Sequence, residues 1–161
     1  MRNKPKYELR TPSSPEEWQA YHSIRRKVLF ENRVRFGIYD ENHPDEHRIG
    51  NHPLLLMMDG EAIGVIRIDI NGNYAVFRRV AIREDLQRAG HGRLLLTLAE
   101  AFAQERGCLH ILSDVAPDAA GFYERCGYTF VHSAPMIGTS IPMQKTLTFQ
   151  HAGDFDCDRK A

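Results

Sequence analysis

Cysteine is scarce in this chain. Cys108, Cys126 and Cys157 are odd in number and share no ligand-like spacing. That excludes a disulfide framework and a thiolate metal site, and it fits a reduced, cytoplasmic setting. No charge of one sign prevails either, since Lys+Arg and Asp+Glu are both 21. The global basic field that draws a protein to nucleic acid or to a membrane surface is missing, so neither is expected as a partner. Long apolar runs are also lacking. The longest, "LLLMM" at 54–58, falls far short of the roughly 20 residues a bilayer span needs. The N-terminal "MRNKPKYELR" lacks the apolar stretch of a signal peptide. There are no repeats, low-complexity tracts or Pro/Gly-rich linkers. With 161 residues, 42% of them hydrophobic, the chain is expected to form one domain over 1–150 and a polar, frayed tail over 151–161.

What is present reads as alternating strands and helices. "KYELRTP" suits an edge strand closed by Pro12. "SSPEEWQAYHSIRRKVLFE" reads as a helix, with Ser14 as N-cap, Pro15 at the first position and Glu16 and Glu17 at its positive end. Trp18, Tyr21, Ile24, Val28 and Leu29 share one face. Residues 32–52 are polar and turn-rich. Three strands come next, joined by the hairpin signals Asp59-Gly60 and Asn71-Gly72, the last being "YAVFRRVAI". A helix over about 90–106 stops at Gly107, with Leu94, Leu95, Leu98 and Phe102 as its apolar stripe. "CLHILSDV" should then run parallel to "YAVFRRVAI", since a helix connects them. A short helix in "PDAAGFYERCG" and the strands "YTFVHS" and "IPMQKTLTF" complete an α/β chain with a mixed sheet.

The stretch "QRAGHG", Gln87 to Gly92, lies between a strand and a helix. A helix start leaves backbone N–H groups without acceptors and carries partial positive charge. Glycines there let a ligand approach the backbone, so the stretch reads as an anion seat. The loop lacks the Gly-Lys-Ser/Thr of a Walker A sequence and the third glycine of a dinucleotide fingerprint.

"QRAGHG" resembles the Gln/Arg-x-x-Gly-x-Gly/Ala motif of the GNAT superfamily of N-acetyltransferases. "GFYERCGY" resembles that family's late signature, a Phe/Leu-Tyr pair followed by Gly-Phe or Gly-Tyr. Order and spacing match over roughly residues 54–148. The resemblance implies a GNAT fold: a mostly antiparallel sheet of six to seven strands with splayed central strands, flanked by about four helices. It implies direct transfer of an acetyl group from acetyl-CoA, as co-substrate, to a primary amine. Arg88, Ala89, Gly90, His91, Gly92 and Arg93 would hold the pyrophosphate through their backbone N–H groups, and the edge of Val80, Ala81 and Ile82 would pair with the pantetheine arm. An amide near Val80 would polarise the thioester carbonyl, and Tyr123 would protonate the departing thiolate. The acceptor would be a small-molecule amine or a peptide. Relatives often dimerise through late strands, which makes a homodimer one option.

The match departs from the family at three points. Ala116 stands where many relatives carry an asparagine that contacts pantetheine. Val76 stands at the position of the glutamate base of histone-type relatives, and "YAVFRRVAI" holds no acid or histidine. The base stays unassigned: a water chain is the first candidate, with Asp114, Ser113 and His110 as the side-chain candidates. A CoA-binding sensor or interaction module without turnover is the alternative reading. Third, Arg78 and Arg79 are consecutive on a strand and by alternation face opposite sides. Tyr74, Val76, Arg78 and Val80 would share the acceptor side, so Arg78 is expected to bind substrate, while Arg79 is expected to serve stability. A guanidinium at Arg78 favours an amine that also bears a carboxylate.

"HPDEH" matches H-x-x-E-H, a zinc-peptidase pattern that needs both histidines on one helix face. Pro44, Gly50 and Pro53 limit any helix there, so no metal site is expected and His43 and His47 read as acceptor-side loop residues. Cys126 beside Gly127 reads as packing rather than as an acyl-carrying nucleophile.

Overall fold

A computed structural model describes residues 3–132 and 140–148. Cys157, the tail over 151–161 and the last residue of "IPMQKTLTF" lie outside the described residues. One seven-stranded sheet organises the chain, in the order β1-β2-β3-β4-β5-β7-β6. The strands are β1 Tyr7–Arg10, β2 Asn51–Met58, β3 Glu61–Asn71, β4 Tyr74–Ile82, β5 His110–Val115, β6 Thr129–Phe130 and β7 Ile141–Thr146. Pairing is antiparallel throughout except between β4 and β5. That parallel step results from the helix α2, His91–Glu105, that connects the two strands. Both Asp59-Gly60 and Asn71-Gly72 turn as hairpins, with Asp59, Gly60 and Gly72 at positive φ.

The helices α1 (Pro15–Arg25) and α2 cover opposite faces of the sheet. Ser14 caps α1 by accepting from the Glu17 amide at 3.1 Å. On the α1 face, Tyr21 and Ile24 bury with Leu55, Met57, Val65 and Ala81, flanked by Trp18, Val28 and Leu29. This is the stripe expected from the sequence. On α2 the buried line is Leu95, Leu96, Ala99 and Ala103, with Leu98 and Phe102 packed at its margin. The line is offset from the leucine stripe, because the small alanines let the helix lie close to the sheet. The short helix α3, Ala120–Arg125, joins the α2 face through Ala120, Tyr123 and Cys126.

The end of α1 departs from the sequence reading. The helix continues as a π-helical turn over Arg26–Phe30 and a 3-10 turn over Glu31–Arg33, which closes at Val34 with φ 58. The extra residue in a π turn rotates the residues after it, and Phe30 is directed inward, 4% exposed. Beneath this loop lies a buried network. Glu46 accepts from the Tyr21 hydroxyl at 2.6 Å and from Arg25 at 2.5 Å. Arg25 and Glu46 are almost fully buried, and the Arg25 guanidinium lies 4.2 Å from the Tyr21 ring centroid. Among the described residues no helix is long and apolar enough to cross a membrane.

Candidate active site

The chain leaves β4 through a 3-10 turn over Glu84–Leu86. Gln87 then donates from Nε2 to the Ile82 carbonyl at 2.9 Å, tying the loop to the strand end. Arg88 and Gly90 take positive φ, 63° and 87°. Gly90 is the N-cap of α2, and no side chain caps the helix. The amides from Arg88 to Arg93 find no backbone acceptor among the described residues. A Cβ at Gly90 would meet no heavy atom within 4 Å, so the space above the loop is open. These are the properties of an anion seat built from backbone.

The side chains of the loop serve other ends. His91 donates from Nδ1 to the Leu86 carbonyl at 3.0 Å, and its Nε2 accepts from the Tyr7 hydroxyl at 3.2 Å. Arg93 donates to the Arg125 carbonyl at the end of α3, at 3.1 Å. Both residues are left with their amides for a ligand. Ala89, Gly90 and Gly92 likewise offer backbone alone, whereas the exposed Arg88 side chain has no hydrogen-bond or ion-pair partner among the described residues. Gly92 has a different reason from the one expected from the sequence. A Cβ there would sit 3.0 Å from Cζ of Phe122, so α3 packing excludes a side chain.

β4 and β5 pair only from Tyr74–His110 to Phe77–Ser113 and then part, although β5 runs on to Val115 beside β7. The splay leaves the β4 edge from Arg78 to Ile82 without a β5 partner. Ala81 and Ile82 bury their side chains, so they too present backbone to the gap. Ser113 marks the branch point by donating to the Phe77 carbonyl at 3.1 Å. Tyr123 lies against it, and a cavity of about 190 Å³ opens between Tyr123, Val80, Ser113, Ala116, Asp114 and Arg79. Burial pushes the Tyr123 phenol up to about 12, and the Ser113 hydrogen bond opposes this. At neutral pH the phenol therefore keeps its proton and can donate it. Burial also raises the thiols of Cys108 and Cys126, the reverse of an activated nucleophile.

A second cavity, of about 610 Å³, lies on the α1 face under the 25–48 loop. Its floor corrects the alternation argument. Arg67 of β3 pairs with Arg78, but Val65 pairs with Ala81, so Arg79 and Val80 together oppose Ile66. This is a β-bulge, with Arg79 at φ 58. The bulge reverses the strand's parity. Phe77 and Val80 both pack toward the α2 face, whereas Ala81 packs on the α1 face. Arg78 and Arg79 therefore line the same cavity, contrary to the expectation that they face apart. Val80 leaves the side shared by Val76 and Arg78. Asp69 binds Arg67 through two hydrogen bonds, at 2.7 and 2.9 Å, and accepts from Arg78 Nε at 2.9 Å. One carboxylate thus serves two guanidinium groups, and Arg78 keeps its Nη groups on the cavity. No sequence signal marks this bulge, since Arg79 is neither glycine nor asparagine.

Of the candidate bases, Ser113 is buried at the branch point and Asp114 is exposed on the rim of both cavities. His110 starts β5 at the opposite end, beside Thr146, and is away from the splay. The "HPDEH" segment forms a 3-10 turn, Pro44–His47, whose glutamate is the buried partner of Arg25. His43 lines the large cavity, while His47 packs on Trp18 outside it. No cluster of metal-ligating residues occurs among the described residues.

Comparison with known proteins gives this geometry a family. The family model for the acetyltransferase (GNAT) family matches residues 6–128. A Bacillus subtilis protein assigned as an acetyltransferase is 25% identical over 122 residues, covering 72% of this chain and 79% of its own. A crystal structure from Lactobacillus plantarum, assigned as an N-acetyltransferase, is 28% identical, covers 91% of this chain and 100% of its own, and superposes with a TM-score of 0.72. The PaiA N-acetyltransferase of Thermoplasma acidophilum, solved in complex with coenzyme A, shares 20% identity and 88% of this chain, covers 99% of its own, and has a TM-score of 0.68. Members of this family use acetyl-CoA or CoA. The chain belongs to the GNAT acetyltransferase family.

Proposed function

We propose that the chain is an N-acetyltransferase that moves an acetyl group from acetyl-CoA directly to a primary amine, and that the amine also bears a carboxylate. One observation carries the transfer reading. The Tyr123 phenol lies at the point where β4 and β5 part, on the same side of the sheet as the open amides that begin α2. Those amides, with Arg88, suit a pyrophosphate, and the free β4 edge at Val80–Ile82 suits a pantetheine arm. Acetyl-CoA supplies the acetyl thioester. The chain's own part is to hold the acceptor, to draw off an amine proton and to deliver a phenolic proton. The amine nitrogen bonds to the acetyl carbon, the carbon–sulfur bond breaks, and the thiolate takes the Tyr123 proton. The ammonium proton leaves through water or Asp114. Ala116 replaces a side-chain contact to the cofactor, so backbone contacts must hold that arm.

The arginine-rich cavity next to the splay supports an acceptor with an anionic end, and Arg78, whose Nη groups have no partner among the described residues, is one donor toward it. The test is thiol release from acetyl-CoA across a panel of amines, amino acids, polyamines and lysine peptides. Release with one acceptor class supports the reading. Tight acetyl-CoA binding with no release for any acceptor would replace it with a CoA-binding module.

A further inference from the structure

Four arginines of the large cavity have carboxylate partners: Arg25 with Glu46, Arg48 with Asp45, and Arg67 and Arg78 with Asp69. Arg35 and Arg79 also line this cavity, and neither forms an ion pair among the described residues. Both reach the small cavity at Tyr123 as well. Their guanidinium carbons lie 4.9 and 5.1 Å from the centroid of one ring, that of Phe30. The ring is set in place by the π-helical turn that ends at Phe30, and Arg35 is tied back by its amide to the Phe30 carbonyl at 2.8 Å. Arg79 reaches the same ring only because the bulge holds it at φ 58, a conformation an arginine rarely adopts. Strain of this kind concentrates at binding and catalytic sites. Burial, followed by the charges of Arg25, Arg35 and Arg67, weakens the hold of Arg79 on its proton. The two guanidinium carbons are thus within about 10 Å of each other, and an anion between them would relieve both.

We propose that Arg35 and Arg79 form the carboxylate clamp of the acceptor site, and that the acceptor is a free α-amino acid. This rests on the transfer reading above and deepens it. Two guanidinium forks on one ring match the two oxygens of a carboxylate. Arg79 and Tyr123 line the same cavity of about 190 Å³, so the anionic and reacting ends of the acceptor are close together. That suits a carboxylate and an amine on one carbon, and it disfavours a polyamine or a lysine side chain far from its backbone carboxyl. Asp114, on the rim of both cavities, complements the ammonium end. Arg78 is the weaker contributor, since Asp69 already engages it.

The experiment compares L-amino acids, their carboxamides and the matching aminoalkylphosphonates as acceptors, with thiol release as the readout. Free acids should exceed carboxamides by tenfold or more in kcat/KM. Arg79→Gly is the informative variant. It deletes the guanidinium and also relieves the left-handed backbone, so thermal stability should hold or rise. The acid-over-amide preference should collapse in Arg79→Gly and in Arg35→Ala, through KM for the acid, with KM for acetyl-CoA unchanged. Arg78→Ala should lose less than either. A preference that survives in Arg79→Gly overturns the clamp, as does a phosphonate or a polyamine as best acceptor. A parallel titration of N-acetyl amino acids, against their amides, into the CoA-saturated protein does not need turnover. Carboxylate-dependent binding that Arg79→Gly abolishes, without turnover of any acceptor, would retain the clamp and remove the transfer reading. Equal binding of acid and amide would remove the clamp.

Discussion

Replacing Gly90 by aspartate tests the anion seat without knowledge of the acceptor. Gly90 stands at φ 87, and a Cβ added there would meet nothing within 4 Å, so the substitution brings backbone strain and no clash. Aspartate tolerates the left-handed region better than most residues. The strain of roughly 1 kcal/mol is offset in part by a carboxylate at the positive end of α2, worth about 0.3–1 kcal/mol. The fold should therefore persist. Binding should not. The carboxylate competes for amides that have no backbone acceptor among the described residues, each charge-assisted hydrogen bond being worth about 1.5–3 kcal/mol. It also sets a negative charge close to a pyrophosphate, at a cost of roughly 1–4 kcal/mol for charges about 4 Å apart. Even the smallest sum, about 2.5 kcal/mol, is more than fiftyfold in Kd. Isothermal titration with acetyl-CoA reads this directly. Gly90→Asn separates charge from shape and should retain most of the affinity. If Gly90→Asp binds like the parent, the pyrophosphate is not held at this helix start.

Individual contacts give further expected outcomes. Tyr123→Phe keeps a ring packed near Phe122 and Tyr128 and deletes the proposed proton donor. kcat should fall about ten- to a thousandfold, at the low end for acid–base groups, with KM for acetyl-CoA nearly constant. A parent-like kcat, with chemistry shown by single-turnover kinetics to limit the rate, would remove Tyr123 from the role. Because burial raises this phenol to about 12, it keeps its proton throughout neutral pH. The rate should rise as the amine loses its proton and show no basic limb from Tyr123 below about pH 11. The same raised value means that its contribution to stability is complete below about pH 10 and is lost as pH rises toward 12, which alkaline denaturation curves can check. Glu46→Gln strands the buried Arg25 charge and should cost about 3–5 kcal/mol by urea denaturation. Gly64→Ala puts a methyl 2.8 Å from Ile82 Cδ1 and 3.2 Å from the Ala81 carbonyl, and should cost about 1–3 kcal/mol by the same assay.

The elements that depend on local chemistry were legible in the sequence. Ser14 and Pro15 start α1, the Asp-Gly and Asn-Gly pairs turn the hairpins, and Gly107 ends α2, because each answers to backbone geometry within a few residues. The open helix start after Gly90 was legible for the same reason, and the spacing of "QRAGHG" to "GFYERCGY" pointed to the family. Tertiary structure alone decided three things. The second glycine of "QRAGHG" answers to the Phe122 ring, thirty residues away in the chain. The side chains of His91 and Arg93 are engaged by Leu86, Tyr7 and Arg125, contacts that no local pattern in the loop announces. The two arginines of β4 share one cavity because a bulge opposite Ile66 adds a residue to the strand. A period-2 pattern cannot register such an insertion, since the extra residue is held by partner strands and packing rather than by its own side chain. The π-helical turn at Arg26–Phe30 is of the same kind. Both irregularities bring Phe30, Arg35 and Arg79 together from segments that carry no shared signature in the sequence, and only the folded sheet and its covering loop define that meeting point.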